Sequence, residues 1–310
     1  MFPRVPRVGS ASGLRQLATC TCHRPVRHSV LQICSGDRCL NGVRSLAVNS
    51  IMSWLTRLSR NKTELRSSLD KVAKEIFESK YPDARVLFLA GSIVRGEGTP
   101  HSDLDLVVIF DKLNNAYRES FHFQGFPVEA FVHDPETLNY FLFEVDRPTG
   151  IPSLAQMILE GIELPAPNEV SQSLKQLAAS VMEAGPPVLS NEEVLKLRYN
   201  LTSLVDDVRQ PRSRDELLAS GAELYEALAD YYFRSNNRWS AKGKAVPRIL
   251  KLADADLCSR FCNSFDELFS NGQSGRVIAL VEELLETNGG FLFDGHRLEA
   301  PLGHRKPLKH

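Results

Sequence analysis

The sequence predicts an α+β fold, in which a small mixed β-sheet with flanking helices forms a head and an all-helical C-terminal domain follows it. Short apolar runs rich in strand-forming residues occur before about residue 150 and nearly vanish after it, where apolar residues spaced three or four apart dominate. This shift places the head at residues 52–150, the helical domain at 151–290 and a tail at 291–310.

The head begins with a predicted amphipathic helix. Apolar residues three or four apart run from Leu65 to Phe77, and Asn61 and Glu64 are positioned as a cap and its reciprocal partner. Three apolar segments then predict strands at Ala84–Ala90, Ser102–Asp111 and Phe126–Val132. The third strand ends at Asp134-Pro135, where a further helix is expected to start.

Helical periodicity dominates the rest of the chain. The predicted helices cover residues 153–164, 170–184, 191–208, 214–233, 246–262 with a break near Asp254, and 275–287. Clusters of proline and glycine set their limits, because proline lacks an amide donor and glycine adopts the backbone of a helix cap. These clusters are Pro165–Pro167, Gly185–Pro187, Pro211 and Gly289-Gly290.

The first fifty residues differ in charge from the remainder. Residues 1–50 contain seven arginines, no lysine and a single acid, Asp37. An arginine-rich, acid-poor segment without a long apolar run is not a secretion signal, and it is expected to be poorly ordered. Two interpretations remain: a mitochondrial transit peptide, or an over-long start ahead of a cytoplasmic protein that begins at Met52. The second is preferred, so a cytoplasmic location is expected.

Four of the six cysteines lie in the same segment, at Cys20, Cys22, Cys34 and Cys39. Their spacings are not the paired C-x2-C knuckles that are typical of zinc sites, so scattered thiols are expected there rather than a metal. Nothing in this pattern indicates a disulfide framework, which agrees with a reducing compartment.

Composition excludes a membrane-spanning protein, and the distribution of charge narrows the kind of partner that is expected. The chain has 310 residues, of which 43% are hydrophobic and 24% charged, and it contains no run of roughly 18 apolar residues that a membrane-spanning helix needs. Beyond residue 50, 30 basic residues stand against 37 acidic ones. This negative charge disfavours long nucleic acid as a partner and favours a small or cationic substrate, while one nucleotide with a divalent metal remains compatible.

The segment Gly91–Leu106 carries the most specific pattern. A buried strand ends at Gly91-Ser92, where backbone N–H groups and the Ser92 hydroxyl are expected to face a cleft and bind a phosphate. Asp103 and Asp105 stand two apart on the next predicted strand, so their carboxylates leave from one face and can share a divalent metal. Glu129 is the one acid within the segment predicted as the following strand, and it is predicted to complete a metal cluster.

The motif Gly-Ser-x-x-Arg-Gly followed by Ser-Asp-Leu-Asp-Leu, with a later strand that contains Glu129, resembles the nucleotidyltransferase superfamily of DNA polymerase β type. The strong part of the resemblance covers about residues 85–134, and the helical part is similar in arrangement to the aminoglycoside nucleotidyltransferases. The resemblance implies that Gly91 and Ser92 hold a nucleoside triphosphate. By the same resemblance Asp103 and Asp105 would bind Mg²⁺, and Glu129 would be a metal ligand or the base that deprotonates the acceptor hydroxyl.

Further basic residues are candidates for binding the phosphates of the nucleotide. Arg95 lies within the glycine-rich motif, and Lys242 and Lys244 lie in a predicted loop beside Trp239 that can close over a nucleotide. Structural roles remain open for all three. Arg95 can simply pair with Glu97, and the two lysines can form an ordinary solvated turn.

The resulting hypothesis is a metal-dependent nucleotidyltransferase that moves a nucleoside monophosphate, AMP from ATP, to a hydroxyl of a small, aminoglycoside-like acceptor. Four acids on predicted helices are candidates for binding a cationic acceptor, although most are expected to be solvated: Asp206, Asp207, Glu223 and Glu226. Two alternatives remain open, an enzyme that nucleotidylates a protein and a catalytically silent nucleotide-binding protein. The three converging acids argue against the silent protein, since a mere binder has no use for them.

Overall fold

The computed structural model of the protein describes residues 69–99, 102–300 and 302–306. The predictions made for residues 1–50, including the arginine-rich leader and its four cysteines, lie outside these described residues. Of the first predicted helix, the described part is helical over residues 69–80, which we call α1. Within the described part of the chain, no helix is both long and apolar enough to cross a lipid bilayer.

The head is built on one mixed β-sheet. Its strands are β1 (Val86–Ala90), β2 (Leu104–Ile109), β3 (Tyr117–Phe123), β4 (Phe126–His133) and β5 (Ile162–Leu164). They lie side by side in the order β3-β4-β2-β1-β5, with β2 and β4 parallel and all other neighbours antiparallel. The α+β prediction with a mixed sheet is therefore confirmed.

Two of the five strands were not predicted from the sequence. The β3 strand lies at one edge of the sheet, and its residues are all exposed or half-buried, so it lacks the apolar run that marks β1 and β2. The β5 strand falls at the end of the helix predicted over residues 153–164. That helix ends at Glu160, and the extended Gly161, where a Cβ would lie only 2.8 Å from Phe88 Cβ on β1, leads into the strand.

Helices make up most of the remaining structure. After α1 they are α2 (Gly91–Val94), α3 (Pro135–Tyr140), α4 (Arg147–Thr149), α5 (Ser153–Glu160), α6 (Glu169–Ala184), α7 (Asn191–Arg209), α8 (Arg214–Ser235), α9 (Val246–Ala253), α10 (Ala255–Asn271) and α11 (Gly275–Glu286). A π-helical segment, Phe141–Asp146, joins α3 to α4. The predicted break at Asp254 is confirmed, since its side chain caps α10 by accepting the Leu257 N–H.

Apolar layers cover both faces of the sheet. One face packs against α1 through a cluster that includes Ile76, Leu87 and Leu106. The other face packs against α5 and α6 through a second cluster that includes Phe88, Val107 and Ile158. The strands alternate sides, so consecutive residues of β1 and β2 contribute to different clusters.

The helical part has its own core, formed by α7 to α11. The segment after α11 returns to α7, where the buried Arg198 side chain donates to the Gly289 and Gly290 carbonyls over 2.8 and 3.0 Å. The helical part also contacts the head beyond α8. The Trp239 indole N–H donates to the carbonyl of Met182 on α6, the helix that packs on the sheet, and the Ser240 N–H donates to the Gly150 carbonyl over 2.7 Å. These contacts hold the segment that precedes Lys242 next to the head.

Candidate active site

The parallel pairing of β2 and β4 brings two predicted metal ligands side by side. In the strand register Asp105 lies directly opposite Glu129, and Asp103 immediately precedes β2. Carboxylate oxygens of all three residues lie within 4.8 Å of one another, and all three residues are half-buried. The structure thus brings the three predicted acids together at one end of the two strands.

Gly91 lies against this group of acids. Its φ of +82° is a left-handed backbone conformation that side chains rarely adopt, and a Cβ at this position would lie 1.9 Å from Asp105 Oδ2. Only glycine therefore fits beside the Asp105 carboxylate. The close approach expected at Gly91 is present, but it is an approach to a protein carboxylate, and the Gly91 N–H points to Glu160 Oε1 at 3.3 Å.

The electrostatic state of Asp105 reflects its surroundings. Burial, followed by the neighbouring charges of Asp103 and Glu129, raises the pKa of its carboxyl group to about 6, although Arg95 and Lys244 act in the opposite direction. A carboxylate that is difficult to ionise beside two other acids is stabilised when a cation binds between them. The group is therefore suited to holding a positive charge.

The three acids fit a divalent metal by their chemistry and their spacing. Each offers a hard carboxylate oxygen, the ligand type that Mg²⁺ and Ca²⁺ prefer. Two oxygens bound to one cation by bonds of about 2.0–2.6 Å lie at most about 4–5 Å apart, and the three oxygens here, all within 4.8 Å of one another, are compatible with this limit. The role of the three residues as metal ligands stays a prediction.

Arg118 is a neighbour of this site that the sequence analysis missed. It lies on β3 and donates a hydrogen bond from Nη2 to Glu129 Oε1, while its guanidinium group lies 4.9 Å from the centre of the Phe131 ring. Arg118 was missed because β3 was not predicted. The alternation of polar and aromatic residues over Tyr117–Phe123 is the signal that could have revealed that strand.

A cleft of about 260 Å³ opens beside the acids, between the head and the helical part. Gly91, Arg95 and Asp105 form its wall on one side, and Lys242 and Arg248 belong to its wall on the other. Of the predicted nucleotide-binding residues, Ser92 and Lys244 are not part of this wall. The Ser92 hydroxyl donates a hydrogen bond to Ser102 Oγ, and the positive charge of Lys244 lies near enough to Asp105 to lower its pKa. Apolar side chains that include Ile151, Met157 and Ile249 complete the cleft.

The basic residues of the cleft differ in their partners. Arg95 bonds to Glu97 through Nε over 3.0 Å and to Glu160 through Nη1 over 2.5 Å, so the structural role foreseen for it is present. Within the described residues, neither Lys242 nor Lys244 forms a hydrogen bond or an ion pair through its side chain. The two lysine ammonium groups are thus available to an anionic ligand.

The acids proposed for a cationic acceptor lie elsewhere. Asp206, Asp207, Glu223 and Glu226 are exposed residues of α7 and α8, and none of them lines the cleft. Glu226 accepts the Gly243 N–H in the loop that contains Lys242. Their positions correspond to the solvated helix faces that the sequence analysis weighed as the alternative.

A mixed sheet that carries three carboxylates beside a glycine turn, next to a cleft with basic walls, is an arrangement suited to phosphoryl-group transfer. The family model described as "Nucleotidyltransferase domain" matches residues 70–149, the part of the chain that contains this arrangement. Residues 70–149 therefore form a nucleotidyltransferase domain of the polymerase β-type superfamily, and this domain supports the assignment of the protein as a transferase enzyme.

Comparison with solved structures finds a nucleotidyltransferase-like protein from Exiguobacterium sibiricum 255-15. The two sequences are 15% identical, the match covers 71% of this chain and 75% of that chain, and the TM-score is 0.39. Among curated proteins, none matches the chain.

Proposed function

We propose that the protein transfers a nucleoside monophosphate, AMP from ATP, to a hydroxyl group of a small acceptor of the aminoglycoside type, with Mg²⁺ as its metal. The observation that carries this proposal is the meeting of Asp103, Asp105 and Glu129 beside the Gly91 turn of a nucleotidyltransferase domain. Such a group of acids suits a reaction in which the charge of a triphosphate must be neutralised.

In the proposed reaction the oxygen of the acceptor hydroxyl attacks the α-phosphorus of ATP. A new O–P bond forms, the bond from the α-phosphorus to the oxygen that bridges to the β-phosphate breaks, and pyrophosphate leaves. The hydroxyl proton passes to Glu129 or to solvent. When bound, Mg²⁺ supplies positive charge that offsets the charge on the attacking and leaving oxygens.

The three acids are the proposed Mg²⁺ ligands, and the nucleotide phosphates are proposed to lie along the cleft. Arg95 and Lys242 are placed in the cleft wall, where their charges would attract the phosphates. Lys244 would act from its position near Asp105. Gly91 and Ser92 would border the phosphates at the end of β1, with Ser92 contributing its half-buried hydroxyl.

A cationic acceptor is supported by the excess of acids beyond residue 50, where 37 acidic residues stand against 30 basic ones. The cleft itself adds no further acid for such an acceptor, since Asp105 belongs to the metal group and Glu160 is paired with Arg95.

Release of pyrophosphate is the direct test of the proposed function. Purified protein is incubated with Mg²⁺ and each nucleoside triphosphate, with and without a panel of aminoglycosides and other hydroxyl compounds. We expect release that requires an acceptor and is fastest with ATP, together with an acceptor whose mass has increased by one AMP moiety. An AMP moiety found on a protein instead would identify a protein acceptor, and no release from any nucleotide would contradict the proposed function.

The Asp103→Asn variant tests the metal assignment. It removes one carboxylate charge from the group of three, so we expect turnover to fall by about 10³-fold or more while the fold is retained. Asp111→Asn is the matched control, because Asp111 is an exposed aspartate just past the other end of β2. Full activity in Asp103→Asn would contradict the assignment.

A further inference from the structure

Two arginines from distant parts of the chain converge on one carboxylate beside the cleft. Glu97 Oε2 accepts a hydrogen bond from Arg95 Nε over 3.0 Å and another from Arg248 Nη1 over 2.7 Å. Arg95 follows α2 in the head, whereas Arg248 lies on α9 of the helical part, 151 residues further along the chain than Glu97. Both arginines line the cleft.

The donors of both arginines that bind the Glu97 carboxylate can also bind a phosphate group. Guanidinium groups bind carboxylates and phosphates by the same charge-assisted hydrogen bonds, so either anion satisfies the same donors. The hydrogen bonds from Arg95, followed by those from Arg248, hold the pKa of Glu97 below its ordinary value, so Glu97 is ionised at neutral pH. Glu97 is also exposed, which leaves it able to move into solvent.

The charges around the cleft favour an exchange of anions. Its wall contains three basic side chains, Arg95, Lys242 and Arg248, but only two acids, Asp105 and Glu160. A bound triphosphate carries several negative charges and offers more acceptor oxygens than a single carboxylate. It can therefore replace Glu97 as the partner of both arginines, whereas Glu97 alone binds them through one oxygen.

We infer that Arg248 is a triphosphate-binding residue and that Glu97 is an internal competitor, which holds Arg95 and Arg248 together until the triphosphate of the substrate displaces it. This inference rests on the proposed function and deepens it. It assigns to the helical part a residue that recognises the nucleotide. It also gives the loop after α2 a position that changes when the nucleotide binds.

The competing explanation is that these contacts have a purely structural role and only connect the head to the helical part. If Glu97 and Arg248 only joined the head to the helical part, removing either partner would loosen the cleft, and both variants would weaken nucleotide binding. Internal competition predicts opposite signs for the two variants. The sign of the change therefore separates the two explanations.

The test measures binding of an ATP analogue with a methylene group between the α- and β-phosphorus atoms, in Mg²⁺ buffer at low salt, by calorimetry. We expect Glu97→Gln to lower Kd by about threefold to tenfold, because the arginines no longer have a charged competitor. We expect Arg248→Gln to raise Kd by about tenfold or more, because a charge-assisted hydrogen bond to phosphate is lost. Arg248→Lys should give an intermediate value, since it keeps the charge but not the guanidinium geometry.

A second probe and a matched pair of variants complete the design. Inorganic tripolyphosphate, as a competitor of the analogue, should respond to both substitutions in the same directions, because the inference concerns the phosphates rather than the base. Arg260→Gln and Glu283→Gln are the control pair, since these residues form an exposed ion pair of 2.6 Å that does not line the cleft. Both should leave Kd unchanged.

The outcomes distinguish this inference from the proposed function. If the wild-type protein binds neither the analogue nor tripolyphosphate, both fail. If the wild-type protein binds the analogue but Glu97→Gln and Arg248→Gln shift Kd in the same direction, or not at all, only the internal competition fails. In the double variant Glu97→Gln with Arg248→Gln, the decrease in Kd caused by Glu97→Gln should be smaller than in the single variant. Without Arg248, only Arg95 remains as a partner of Glu97.

Discussion

The two faces of the head sheet differ in the side chains that β2 and β4 place on them. On the face covered by α1, β2 and β4 present only apolar pairs in register: Leu104 with Val128, Leu106 with Ala130, and Val108 with Val132. On the opposite face the same register pairs Asp105 with Glu129 at one end, Val107 with Phe131 in the middle and Ile109 with His133 at the other end. Along β2 and β4, the face covered by α1 is apolar throughout, whereas the opposite face carries the acids Asp105 and Glu129 at one end.

Because of this difference, residues that stabilise the fold and residues proposed for the reaction alternate along the same strand. Leu104 and Leu106 are fully buried, whereas Asp105 between them is half-buried and lines the cleft. Because side chains alternate along a strand, the apolar face fixes the register, and the register in turn places the acids. The site is thus positioned by residues that never touch it.

The largest expected effect is on the face that carries Asp105 and Glu129, which we call the acidic face. Asp105→Asn should reduce nucleotidyl transfer by about 10³-fold, equivalent to about 4 kcal/mol, because it removes the charge of a proposed metal ligand. The free energy of unfolding should not fall, since burial and two neighbouring acids make ionised Asp105 unfavourable in the fold. Thermal unfolding and a pyrophosphate-release assay on the same sample check both statements, and a large loss of stability would show that the two faces are not separable.

The adjacent residue should give the converse result. Leu106→Ala removes a fully buried side chain from the apolar face, and we expect it to lower the free energy of unfolding by about 3 kcal/mol. The transfer rate per folded molecule should remain within a few-fold of the wild-type rate. Denaturant titration combined with an assay at a temperature where the variant is folded measures both quantities, and a rate loss comparable to that of Asp105→Asn would break the separation.

The sequence was sufficient to predict the parts of this arrangement that are local. The strands β1, β2 and β4 were predictable because each is a dense apolar run, and the two aspartates were predictable as neighbours because they stand two apart. The edge strand β3 was not, since half of its residues face solvent and it has no such run. The three-residue β5 was hidden by the helical periodicity that precedes it.

The contacts between distant segments could not be predicted from the pattern of the sequence. Arg118 reaches Glu129 only because β3 pairs with β4, and Arg248 reaches Glu97 across 151 residues. Neither pairing follows from periodicity or motif spacing, since both depend on how the chain crosses over and how the helical part docks. The parallel register that places Asp105 beside Glu129 likewise depends on that crossover.

A third prediction concerns the far end of the acidic face, where His133 is 3% exposed and packs edge-on against Phe141. Burial lowers the pKa of His133 to about 4, from an ordinary value of 6.5. Between these values the unfolded chain binds a proton that the folded chain does not, so stability should decrease as the pH falls from 6.5 to 4, by about 3 kcal/mol. The raised pKa of Asp105 acts in the opposite sense below pH 6.

His133→Phe isolates this contribution, because it keeps an aromatic ring and removes the titrating group. The difference in unfolding free energy between wild type and variant should change across pH 6.5 to 4, while the contribution of Asp105 cancels. Denaturant titrations at several pH values in that range provide the measurement. A constant difference would mean that the buried end of this face is as insensitive to pH as the face covered by α1.

The smallest expected effect lies at the exposed edge of the acidic face. Arg118→Gln removes a positive charge and a hydrogen-bond donor from Glu129, and both changes favour a divalent cation at that carboxylate. The opposing effect, loss of a fixed orientation for Glu129, is worth at most about 1 kcal/mol, because Arg118 is 61% exposed and such pairs are weak. We therefore expect Mg²⁺ to bind about twofold to fivefold more tightly, measured by calorimetry without nucleotide. Weaker binding would instead make Arg118 a residue that orients Glu129, and the acidic face would then depend on its edge strand for geometry as well as for charge.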